Sequence, residues 1–111
     1  MLDNRVVSFF LNEGICKCDF FDYICDKVVY VPSGSDVFWF GCHPIVENGI
    51  LCDIKVVVTT IESEFDLIVN IHEFTHAIDL FNLLDCHYID DVDAMEERAH
   101  KMEKIYLKSN H

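Results

Sequence analysis

Apolar and polar positions change period several times along this 111-residue chain, and each change predicts an element. Asp3 can cap a first helix that runs to about Glu13, where Gly14 supplies the stop. Val6, Phe9 and Phe10 recur at helical spacing and form its buried stripe. Residues 15–26 are ambiguous: Phe20, Phe21, Ile24 and Cys25 suit a helix, but the segment reads equally well as irregular. Lys27 to Val31 is β-branched and aromatic, hence a strand, and Pro32-Ser33-Gly34-Ser35-Asp36 reads as its closing turn. Val37 to Cys42 reads as the next strand, so these two are expected to pair as a hairpin. After His43-Pro44, a short strand near Ile45 meets Glu47-Asn48-Gly49, and Asn-Gly between apolar runs signals a hairpin. Ile50 to Thr59 is the longest strand, with Leu51, Ile54 and Val56 to Val58 as its apolar content.

The second half reads as helical. Ser63 can cap a helix with Asp66 three residues later as the partner of a short capping box, and acidic Glu62, Glu64 and Asp66 favour the positive N-terminal end. This helix is expected to continue to about Leu84. Leu67, Ile68, Ile71, Phe74, Ile78 and Phe81 place apolar side chains around most of its circumference. A loop from Asp85 to Asp91 leads into a last helix, where Val92, Met95, Ala99, Met102 and Tyr106 repeat as one apolar stripe. The expected fold is α+β, one domain over residues 1–111: a small, largely antiparallel sheet packed with an N-terminal, a central and a C-terminal helix. Phe38, Trp39 and Phe40 cannot all face inward together, which makes Val37–Cys42 the candidate edge strand; the competing reading, slightly preferred, is Trp39 as ordinary core.

Composition narrows the function classes. Hydrophobic residues make up 51% of the chain, which argues against disorder. Twenty acids against eight bases give a formal net charge of −12, which repels phosphate backbones and anionic membranes. Neither nucleic acid nor a membrane is an expected partner. The apolar run Val6 to Leu11 lacks a small-residue cleavage site, and no stretch approaches the length of a transmembrane helix. The expectation is a cytoplasmic protein whose six cysteines are mostly reduced, acting as small buried hydrophobes. Cys16-Lys17-Cys18 with Cys25, Cys42-His43 and Cys86-His87 do not match the paired C-x₂-C spacing of zinc ribbons or fingers.

The chemistry concentrates on the central helix, in His72-Glu73-Phe74-Thr75-His76. Residues four apart on a helix lie one turn above each other, roughly 5–6 Å between Cβ atoms. Two imidazoles so spaced can converge on one zinc ion. Glu73, beside the first histidine, is placed to take a proton from a zinc-bound water. Two histidines and a carboxylate on a buried helix are costly unless something neutralises them, which favours a metal over a coincidental pattern. Asp79, on a neighbouring face, is a candidate acceptor for the second ring N–H of a ligating histidine; a solvated acid is the alternative.

The run His72-Glu73-Phe74-Thr75-His76-Ala77-Ile78 resembles the active-site helix of thermolysin-type gluzincins, and the length is closer to that of the minimal members, the minigluzincins. With the C-terminal segment the resemblance covers about a third of the chain. It is also similar to small intracellular metallopeptidases that pair H-E-x-x-H with a downstream E-x-x-A. The resemblance implies a zinc-dependent peptidase with a peptide or protein substrate, an edge strand that pairs with that substrate, and a third zinc ligand that is a glutamate on a later helix. At about 100° per residue, Glu96 lies roughly 80° from the centre of the last helix's stripe, whereas Glu97 points roughly opposite. Glu96 also begins Glu96-Glu97-Arg98-Ala99, the E-x-x-A pattern. The expected Zn²⁺ ligands are thus His72, His76 and Glu96, with Glu97, another carboxylate or Glu103, two turns on, as substitutes. The family's aspartate four residues after the ligand glutamate is His100 here, so the partners behind the ligands are open. The family's oxyanion-steadying histidine or tyrosine has four candidates, His87, Tyr88, His100 and Tyr106. The alternative function is a zinc-binding regulatory or self-inhibited protein with little peptidase activity. Spacing does not give the oligomeric state.

Overall fold

Val56-Val57-Val58 is a continuous apolar run, the mark of a strand covered on both faces. In the computed structural model, which describes residues 2–36 and 40–109, that run lies on the central strand of a three-stranded sheet. In chain order the elements are α1 (Asn4–Asn12), α2 (Cys18–Ile24), β1 (Val28–Val31), β2 (Gly41–Glu47), β3 (Ile50–Thr59), α3 (Glu64–Phe81) and α4 (Val92–Ser109). The fold class is α+β, as expected, with the strands in the order β1-β3-β2.

The sheet is mixed rather than largely antiparallel. β2 and β3 form the predicted Asn-Gly hairpin: Glu47 pairs with Ile50 across two residues of positive φ, Asn48 (53°) and Gly49 (79°). β1, however, pairs in parallel with β3 and not with the following segment, so the hairpin expected between residues 27–31 and 37–42 does not form. Backbone bonds from Val56 to Lys27 (3.0 Å) and from Thr60 to Val31 (2.8 Å) close that parallel ladder. The physical reason is that β3 buries side chains on both faces and its ladder is filled on both edges. The chain leaving β1 therefore crosses to the opposite edge. Of the predicted strand Val37–Cys42, residues 37–39, Trp39 among them, lie outside the described residues. Gly41 and Cys42 begin β2, which runs on through Pro44 and the separate strand expected near Ile45.

The pairing between β2 and β3 slips by one residue between Ile45 and Val46, leaving Cys52 as the extra residue of β3. The slip restores parity, so Leu51 joins Ile54, Val56 and Val58 in the core with Phe10, Phe20, Ile71 and Phe74. α1 matches its prediction, with the Asp3 carboxylate accepting from Arg5 N–H and Val6, Phe9 and Phe10 buried. The ambiguous segment contains α2, which buries Phe20, Phe21 and Ile24.

Ser63 caps α3 by accepting from Asp66 N–H (3.1 Å). The Asp66 carboxylate accepts in turn from Glu62 N–H and from the Ser33 hydroxyl (2.7 Å), which ties the helix start to the segment after β1. Asn70, fully buried, donates to Thr59 O and so fixes α3 against the end of β3. The helix stops at Phe81, three residues short of the expected Leu84, and a turn with Asp85 at positive φ (66°) follows. On α4 the stripe Met95, Ala99, Met102 and Tyr106 is buried, but Val92 is 55% exposed, because it lies at the start of the helix beyond the packed face. The six cysteines are free thiols, as expected, but they depart from the expected burial: none is fully buried. Those at 18, 25, 52 and 86 are exposed. Among the described residues no helix is long and apolar enough to cross a membrane.

Candidate metal centre

Because α3 is buried around most of its girth, the His72, Glu73 and His76 side chains emerge where three elements meet: α3, the N-terminal half of α4 and the start of β2. The Nε2 atoms of His72 and His76 lie 3.1 Å apart. Glu96 Oε1 is 2.7 Å from His76 Nε2 and 3.4 Å from His72 Nε2. Three donors bonded to one tetrahedral zinc at 2.0–2.1 Å must be about 3.3 Å apart. The three predicted ligand residues are therefore brought together, two of the separations near that value and the His76–Glu96 one shorter, at hydrogen-bond distance. Glu73 Oε1 stands farther off, 3.9 Å from His72 Nε2, beside the triangle and not in it. Glu97 is exposed on another face of α4.

Electrostatics fit a cationic occupant. Burial, with Glu96 adding to it, raises the proton affinity of Glu73 against the opposing pull of the two histidines. Burial works against a charge on Glu96 too, but His72 and His76 outweigh it and hold that carboxyl below its usual range. For His72 desolvation opposes protonation; the Glu103 hydrogen bond and the surrounding carboxylates overcome it and raise its pKa. Two imidazole nitrogens and one carboxylate oxygen thus converge on one region, at distances where protons are shared between them in the absence of a metal.

The partners behind the ligands differ from expectation. Asp79 does not serve a histidine: its carboxylate takes the guanidinium Nε of Arg98 at 2.9 Å. His76 Nδ1 is buried without a hydrogen-bond partner among the described residues. His72 Nδ1 instead lies 3.0 Å from Glu103 Oε2. That same oxygen is 2.8 Å from His100 Nδ1, and His100 Nε2 stands 3.6 Å from Glu96 Oε2. Glu103, expected only as a substitute ligand, thus stands behind His72. The signal for it was its position seven residues after Glu96, two turns along the same face of α4.

No protein-family model, curated protein or solved structure matches this chain.

The centre opens into a cleft of about 360 Å³, whose walls include Gly41 and Cys42 of β2, Glu73, Tyr88, Met95 and Glu96. β2 is an edge strand. Val56 turns its N–H towards β1, so the residue opposite it, Cys42, points its backbone N–H and C=O to the open edge. Gly41 has φ +118°, and a Cβ there would sit 2.9 Å from Glu73 Oε2. Sequence reasoning missed this contact. The bare position lets the strand reach the carboxylate. Burial, then Glu73 and Asp79, hold the Cys42 thiol protonated far above its normal range. Among the described residues, the clusters of metal-type donors contain no cysteine.

Of the four oxyanion candidates, Tyr88 alone lines the cleft. Its hydroxyl donates to Asp90 Oδ1 (3.3 Å), and burial, with Asp90 beside it, keeps the phenol protonated. Tyr106 is core, edge-on to Phe9 at 5.6 Å; His87 packs near Gly49; His100 is engaged by Glu103.

Proposed function

We propose that this chain is a zinc-dependent metallopeptidase of the gluzincin type, cytoplasmic, acting on peptide or protein substrates. The observation that carries the reading is the meeting of His72 Nε2, His76 Nε2 and Glu96 Oε1 within 3.4 Å of one another beside a half-buried glutamate and an open cleft. Those three residues would hold Zn²⁺, which supplies a Lewis acid for the scissile carbonyl and lowers the pKa of water towards about 7.

The chain's own groups supply the rest. A peptide lying along β2 meets the outward N–H and C=O of Cys42, and main-chain pairing of that kind aligns a substrate without demanding one sequence. Glu73, with its proton affinity raised by burial, takes the proton of the attacking water and returns it to the leaving amine. The Tyr88 hydroxyl is a neutral donor on the cleft wall that would serve the oxygen on which charge develops by turning from Asp90, to which it donates at 3.3 Å. The six free thiols fit a reducing compartment.

The Glu73→Gln variant tests the reading. It should keep one equivalent of zinc by elemental analysis and lose chelator-sensitive cleavage of a peptide library by about 10²–10⁴-fold. Unchanged turnover removes Glu73 from the chemistry. Zinc at unit stoichiometry in the wild-type chain without cleavage of any peptide makes it a zinc-holding regulatory protein instead.

A further inference from the structure

We propose that Glu103 is a positioning residue for the metal centre, one carboxylate oxygen orienting both His72 and His100. The inference rests on the reading of His72, His76 and Glu96 as metal ligands. Glu103 Oε2 lies 3.0 Å from His72 Nδ1 and 2.8 Å from His100 Nδ1. A carboxylate oxygen has two lone pairs, enough for both ring N–H groups. Accepting from Nδ1–H leaves the His72 Nε2 lone pair bare, and Nε2 is the atom that faces His76 and Glu96. His100, its ring 5.1 Å from that of His72, has Nε2 3.6 Å from Glu96 Oε2, beyond hydrogen-bond reach and attractive only when the ring is protonated. Glu96, His100 and Glu103 occupy one side of α4 at spacings of four and three residues. The helix thus carries Glu96 and the anchor on one face. Glu103 is well shielded, its side chain 23% exposed against 62% for His100, as befits the anchor.

Two measurements test this. In the metal-free chain at alkaline pH, nitrogen chemical shifts of the neutral His72 ring should show the Nδ1–H tautomer, and Glu103→Leu should abolish that preference. Zinc affinity, from competition with a chromophoric chelator, should fall about 10–100-fold in Glu103→Leu. Glu103→Gln, whose amide oxygen still accepts a hydrogen bond, should keep the tautomer and recover part of the affinity, and it stands in if the leucine variant does not fold. Wild-type tautomer and affinity in Glu103→Leu overturn the proposal. So does a second zinc equivalent in the wild-type chain that Glu103→Leu removes, because Glu103 would then be a ligand. If the wild-type chain binds no zinc, the peptidase reading falls, and the tautomer measurement alone decides whether Glu103 orients His72.

Discussion

Gly41 sets how closely the edge strand approaches Glu73. A methyl group there would press on Glu73 Oε2 at 2.9 Å, and φ +118° is a conformation that L side chains rarely adopt. Gly41→Ala should therefore shift the carboxylate and lower kcat/KM on the order of 10²-fold. Backbone strain costs that variant about 1–3 kcal/mol of stability. Its zinc affinity, measured alongside, should stay near wild type because Glu73 is outside the ligand triangle. The meeting of His72, His76 and Glu96 was legible in the sequence because helical periodicity is local: one turn relates the histidines, and the apolar stripe of α4 selects Glu96 over Glu97. The places of Gly41, Asp79 and Glu103 were not legible. Each depends on how close two elements come in space, which no spacing along one element encodes.

Asp66 links two elements, and its chemistry makes that link depend on pH. The Ser33 hydroxyl foremost, then Glu62 N–H, hold its carboxyl below the ordinary range, with burial opposing. A carboxyl depressed in the folded state contributes stability above its unfolded value, about 3.9, and loses it as the pH falls through the lower folded value. In chemical denaturation, Asp66→Asn should be less stable than wild type at neutral pH, and the gap should close under acid. Ser63→Ala removes the cap itself and should cost about 1 kcal/mol at either pH. Caps, stops and the Asn48-Gly49 turn were readable because each is a local backbone requirement met by one or two residues. The partner of β1 was not. Lys27–Val31 looks the same to the eye whether its neighbour is the next strand or the one after, and only the two-sided burial of β3 decides between them.

One core runs through α1, α2, the sheet, α3 and α4, and the histidine–glutamate cluster sits where the two long helices face β2. A ligand that binds only the folded chain stabilises it by mass action. Zinc at a hundred times its Kd should add about 2.7 kcal/mol, seen as a rise in Tm of roughly 10 °C that a chelator reverses. A Tm indifferent to zinc and chelator would mean that the histidine–glutamate cluster holds no metal. The hydropathy pattern announced that a core of this size would form, and the net charge of −12 is carried on its surface. Which pairs of strands would join was left open by both. Pro44, two residues beyond Cys42 and paired with Ile54, lies in the register that faces outward, yet it has no N–H to offer. A polypeptide added to this border finds a donor and an acceptor at residue 42 and an acceptor alone at residue 44. Val46, opposite Leu51, again offers both, so a guest along this border crosses one gap in its ladder at the proline, three residues beyond the strand's approach to Glu73 at Gly41.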